Sequence, residues 1–177
     1  MGNENKKSFD WQEIGQRFRS VRLGRDYTQL KMGEVANQKK SAIGQFEIGS
    51  KPASTHYALF LRNEFGVSFD WLYDGVETKI KSSDREKKRI LNPTAIGERL
   101  KKFRKEEGLT LKEFGEWVGL PIPTINSYER GRSAPEIKSA LKIKRALHKP
   151  LDWIYFGDEP VLPKSRRLAS ASQPSSV

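Results

Sequence analysis

Shifted by 82 positions, the chain falls on itself, and no other feature constrains its fold as much. Trp71 lands on Trp153, within Phe69-Asp70-Trp71-Leu72-Tyr73 set over Leu151-Asp152-Trp153-Ile154-Tyr155. The same register pairs Ile14-Gly15 and Arg17 with Ile96-Gly97 and Arg99, Thr28 with Thr110, Gly33 with Gly115, and Ile43 with Ile125. Phe46-Glu47-Ile48-Gly49 meets Tyr128-Glu129-Arg130-Gly131. Such self-similarity means one structural unit used twice, so the fold is read per copy first. Within 177 residues, two units of about 65 residues fit, each small but able to fold around one core.

Leu109 to Arg132 carries the repeated pattern most legibly. Leu111, Phe114 and Val118 recur at helical spacing, which predicts a short helix over Thr110–Val118. Gly119 accepts a left-handed backbone at little cost and ends it. A second helix begins near Pro121 to Pro123, whose rings suit a first helical turn, and turns Ile125 and Tyr128 inward before Gly131 closes it. Gly115 stands where the two helices cross, and its missing side chain lets the axes approach. Two helices joined this tightly are a helix-turn-helix signature, most commonly used to recognise DNA.

The remaining helices follow from caps and apolar spacing. Asp10-Trp11-Gln12-Glu13 reads as a capping box, with Asp10 accepting from free amides and Glu13 reaching back. The first helix then runs to about Leu23 and buries Ile14, Phe18 and Val21. Thr28 caps a second that ends near Asn37, a residue tolerant of left-handed geometry. A third spans about Lys40 to Phe46, closed by Ile48-Gly49. A fourth, about Ser54 to Phe65, buries Leu59, Phe60 and Phe65, and a short fifth from Phe69 to Tyr73 sets Trp71 and Leu72 against the bundle. In the second copy Asn92 caps a helix that Pro93 opens, running through Ile96, Leu100 and Phe103 to about Glu107. Pro135 opens a helix to Leu147 with Ile137, Leu141 and Ile143 inward, and Pro150 opens the last, carrying Trp153 and Ile154. The expected organisation is a first helix-turn-helix domain at 8–77, a charged linker at 78–91, a second domain at 92–159 and a disordered Ser- and Pro-containing tail at 160–177. Trp71 and Trp153 are expected in the cores. Trp117 has no aromatic counterpart, because Val35 holds that position, and the sequence leaves two readings open for it: ordinary core packing, or a partly exposed partner contact.

At Leu109-Thr110-Leu111, Gly115, Gly119, Thr124-Ile125 and Tyr128-Glu129-Arg130-Gly131 the chain resembles the Cro/CI-repressor-like (XRE-type) helix-turn-helix family. The 82-residue register extends that resemblance over roughly residues 10–77 and 92–159. Leu111 stands where the family has a glutamine that contacts phosphate, and Gln29 supplies it in the first copy. The resemblance implies an all-α fold of two tandem lambda-repressor-like five-helix bundles, each with a helix-turn-helix. It also implies that Glu47 and Glu129 form structural ion pairs with Arg22 and Arg104, since a buried carboxylate without a partner is costly. The family context implies a bacterial or phage setting.

Charge narrows the partner and composition excludes other classes. The net charge is +11, with about +2 in residues 1–80 and about +9 in residues 81–177, which favours a polyanion. No apolar run approaches the ~20 residues of a membrane span. Met1 to Lys7 is polar with no hydrophobic segment after it, so no secretory signal is expected. Cysteine is absent, which suits a reducing cytoplasm. The only histidines, His56 and His148, fall in different copies, so no zinc set can be drawn. Without a phosphate-cradling glycine loop or a nucleophile–base set, neither catalysis nor a cofactor is expected.

A helix-turn-helix reads base edges with the first residues of its second helix, while basic side chains and amides hold the phosphates. In the first copy this places Lys39, Lys40, Ser41 and Gln45 at the readout edge, with Gln29 and Lys51 at phosphates. In the second, Pro121, Ile122 and Pro123 occupy the tip, Ile122 facing a thymine methyl. Thr124, Asn126 and Ser127 follow, and Arg130 and Arg132 suit phosphates. The expected function is a sequence-specific DNA-binding transcriptional regulator on double-stranded DNA, with a homodimer of tandem chains open. The alternative is a regulatory protein-interaction module in which one copy, the second for preference, holds a transcription factor, polymerase or toxin through its apolar tip.

Overall fold

The computed structural model describes residues 9–77 and 87–159, and among these it is all-helical, with ten α-helices and no strand. The first five are α1 (Trp11–Leu23), α2 (Gln29–Val35), α3 (Lys40–Glu47), α4 (Thr55–Phe65) and α5 (Phe69–Asp74). The second five are α6 (Pro93–Glu106), α7 (Leu111–Val118), α8 (Ile122–Glu129), α9 (Ile137–Leu147) and α10 (Leu151–Phe156). The tail expected at 160–177 and residues 78–86 of the expected linker lie outside the described residues. No helix of the described residues is long and apolar enough to cross a membrane.

Packing divides the helices into two groups. α1 rests on α3 and α5, α2 on α3, and α4 on α5; α6 rests on α8 and α10, α7 on α8 and α9, and α9 on α10. Phe18, Met32, Ile43, Tyr57 and Leu61 are fully buried in the first group, and Ile96, Phe114, Ile143 and Ile154 in the second. α5 packs on α10 and links the groups, with the Phe69 ring 5.1 Å from those of Tyr155 and Phe156.

Two glycines let the first helix of each group lie on the third at backbone distance. A Cβ on Gly97 would fall 2.1 Å from the Tyr128 carbonyl oxygen, and one on Gly15 would fall 2.5 Å from those of Phe46 and Glu47. Any side chain there forces α6 off α8, or α1 off α3.

Several local expectations differ from the structure. α4 buries Tyr57, Ala58, Leu61 and Arg62, while Leu59, Phe60 and Phe65 lie half-buried on its flank. Every residue from Tyr57 to Leu61 is apolar, so spacing alone does not choose the inward face. In α1, Val21 is half-exposed and Arg22 takes the buried position through its ion pair. Asp10 accepts from the amides of Gln12 and Glu13 at 3.1 and 2.9 Å, but Glu13 turns to Arg17 at 2.7 Å instead of reaching back. The reciprocal box forms at Thr110 and Glu113 instead. Trp153 is buried as expected, whereas Trp71 is only half-buried.

Candidate nucleic-acid interface

The turn before α3 uses Asn37 at φ 51°, and the turn before α8 uses Gly119 at φ 72°, both in the left-handed region. Thr28 caps α2 by accepting from the Lys31 amide, and Thr110 caps α7 by accepting from that of Glu113. α3 and α8 are different: Lys39 and Pro121 hold their N-cap positions, and no side chain caps either. Within the first turn the Ala42 amide donates to the Lys39 carbonyl at 2.9 Å and that of Thr124 to the Pro121 carbonyl at 3.0 Å, and Pro123 has no amide hydrogen to offer.

An ion pair locks the far end of each of these helices, buried in the first and part-buried in the second. Arg22 donates to both Glu47 oxygens at 2.5 and 2.9 Å, and to the Tyr27 carbonyl at 2.6 Å. Arg104 repeats the arrangement with Glu129 at 2.6 and 2.9 Å, and with the Leu109 carbonyl at 2.7 Å. Glu47 and Glu129 are the last residues of α3 and α8, so each fork ties a helix end to the first helix of its group. The hydrogen bond to Glu47 raises Arg22 above its ordinary pKa against the opposing pull of burial, and Glu129 does the same for Arg104. The Arg22–Glu47 side chains are 8% and 2% exposed, against 12% and 5% for Arg104–Glu129.

The two outward edges carry different chemistry. Lys39, Lys40, Ser41 and Lys51 are exposed, with Gln45 half-buried behind them. Gln29 donates to Glu47 Oε2 at 3.0 Å, so its amide nitrogen belongs to the ion-pair network. On the other edge Pro121 and Pro123 are exposed, and Ile122 and Trp117 are 44% and 42% exposed. Trp117 stacks on Phe103, ring centroids 6.2 Å apart, which fixes its indole at the surface. Thr124, Asn126 and Ser127 are half-buried, the Ser127 hydroxyl lies 3.2 Å from that of Ser133, and Arg130 and Arg132 are exposed. The structure thus gathers Lys39, Lys40 and Ser41 at one helix start, and sets Arg130 and Arg132 just beyond the end of the other.

Sequence reasoning missed the polar contacts between the helix groups. Asp70 and Asp152 served only as landmarks of the repeat, and Arg62, Lys144 and Asp158 were not singled out. The available signal was a pair of aspartates 82 residues apart, each next to an otherwise apolar run.

A family model described as helix-turn-helix matches residues 100–154. An uncharacterized HTH-type transcriptional regulator of Archaeoglobus fulgidus is 34% identical over 68 residues, covering 38% of this chain and 96% of that protein. Another, from Methanothermobacter thermautotrophicus, is 39% identical over 61 residues, covering 34% of this chain and 88% of that protein. The similarly named YqaE of Bacillus subtilis is 33% identical over 63 residues, 36% of this chain, which spans about half (54%) of that relative's length. No solved structure matches the chain significantly.

Proposed function

This chain belongs to the helix-turn-helix family of transcriptional regulators, and on that premise we propose that it reads the DNA major groove through the third helix of each of two tandem copies, α3 and α8. One observation carries the reading: an uncapped, lysine-bearing start of α3, exposed, on a helix whose other end is held by a buried Arg–Glu fork. Such a helix is anchored at its far end and cationic where phosphates approach. Lys40 and Ser41 suit guanine edges and Gln45 suits adenine, while Lys51, Arg130 and Arg132 serve the backbone. Phosphate contacts dominate affinity, which falls steeply with salt through counterion release.

Gel-shift titration against duplexes selected from a random pool tests this. Lys40→Ala with Gln45→Ala should change base preference at the half-site read by α3, costing about 1–3 kcal/mol per lost bidentate contact. Arg130→Ala with Arg132→Ala should weaken binding to all sequences and lower the salt slope by about 1 for each phosphate lost. A chain that shifts no duplex at low salt sinks the reading.

The exposed pair Trp117 and Ile122, flanked by two prolines, favours a second reading for the α8 tip alone, namely a protein-docking surface. Ile122→Ser separates the two. Lost discrimination at one half-site places α8 on DNA, whereas unchanged DNA binding assigns the tip to a protein partner.

A further inference from the structure

The contact between the helix groups uses the same positions on both sides. Asp70, in α5, accepts from the amides of Leu151 and Asp152 at 2.9 and 3.0 Å, and Asp152, in α10, accepts from the amide of Asp70 at 3.1 Å. Each carboxylate therefore closes the start of the other's helix. Arg62 of α4 pairs with Asp152, and Lys144 of α9, its counterpart at the 82-residue offset, pairs with Asp70. The segments leading into the two first helices cross over as well. Arg145 of α9 lies 4.1 Å from the Phe9 ring, while Asn63 of α4, its counterpart, exchanges hydrogen bonds of 2.9 and 2.8 Å with the Arg89 backbone.

A contact in which position i touches j, and the copy of j touches the copy of i, is related by a twofold rotation. A head-to-tail stack would instead set unlike patches face to face. Chain order alone points the other way, since copies joined end to end suggest two readers aimed in the same direction. The twofold relation turns one reader around.

We propose that the chain is a covalent pseudo-dimer, so that one molecule occupies two inverted half-sites of unlike sequence. The assignment of half-sites rests on the DNA-binding reading above. α3 brings Lys40, Ser41 and Gln45 to one half, and α8 brings Ile122, Thr124 and Asn126 to the other, so the site is inverted in geometry but not palindromic in sequence. Phe69, Leu72, Leu151 and Ile154 are fully buried within the chain, so these four side chains are closed to a second copy.

Two measurements test the pairing and the site separately. With no native cysteine to interfere, spin labels on the full chain at Lys40→Cys and Ile122→Cys report the separation of the two helix starts without DNA. A single narrow distribution on the order of 34 Å, one helical turn of DNA, is expected. A broad distribution, or one centred far from that value, overturns the pseudo-dimer whether or not DNA binds. In the second measurement, duplexes selected by the unlabelled chain are sequenced and the mass of the complex is determined. One chain per duplex on inverted, unlike half-sites about 10 bp apart supports the assignment. Direct repeats, or two chains on identical halves, overturn it. No retained duplex at low salt removes the regulator reading and the half-sites together, and the label distances then judge the pairing alone.

Discussion

The pair α2–α3 turns on Asn37 and presents Lys39, Lys40 and Ser41, whereas α7–α8 turns on Gly119 and presents Pro121, Ile122 and Pro123. Inside, the two are near-duplicates: a threonine cap, a glycine at the helix crossing and an Arg–Glu fork gripping the last turn. Outside, almost nothing matches. Even the fork shows the divergence, because Gln29 joins Glu47 from a position that Leu111 fills in the other copy. Interior residues answer to a packing geometry that both helix groups share. Exposed tip residues carry no such packing constraint, so they can differ.

The forks give the largest expected effect. Glu47→Gln leaves Arg22 charged and buried without its partner, which should cost about 3–5 kcal/mol. Glu129→Gln should cost less, because its pair is more exposed and no glutamine depends on it. Denaturant titration of the two variants ranks them, and equal losses would show that the copies are held alike. If Glu129→Gln keeps full stability yet loses DNA affinity, the fork is a reader and not a brace.

The turns come next. Gly119→Ala places a Cβ on a left-handed residue and should cost about 1–2 kcal/mol. Asn37→Gly should be neutral or mildly stabilising, since glycine takes φ 51° without strain. Thermal unfolding decides, and a harmless Gly119→Ala would mean that this turn relaxes into another geometry.

The smallest effect is a slope. Burial first, and the Asp70 carboxyl second, push Asp152 up from 3.8 to about 7, against the pull of Arg62. Lys144 pairs with both Asp70 and Asp74 beside it, and Asp158 pairs with Arg62 and Arg89. A carboxyl raised in the native state holds its proton more tightly folded than unfolded. Its contribution to stability is therefore full below about 4 and is lost as the pH rises through about 7. Stability measured from pH 4 to 8 should fall more steeply in the native chain than in Asp152→Asn. Parallel curves would remove Asp152 as the cause.

The helix order was legible because its punctuation is chemical. Thr28, Asn37, Asn92, Pro93, Thr110 and Gly119 each do at their position what the residue type favours. Legibility failed where local chemistry was silent. The unbroken apolar run in α4 carried no phase, and Glu13 had Arg17 as a competing partner one turn on. Trp71 and Trp153 share a motif but not a burial, and the position matching Phe103, which packs on Trp153, is the smaller Val21. At the candidate interface the exposed lysines could be anticipated from position alone. The engagement of Gln29 with Glu47 could not, because it joins the first residue of α2 to the last of α3 and needs both helices in place.

Two helix groups joined by a linker are ordinarily free to move apart. The exchanged aspartates withdraw that freedom at one point, since losing either one strands amides at the start of the opposite helix. A substitution at position 70 or 152 is thus felt in both helix groups, which this exchange holds as one unit.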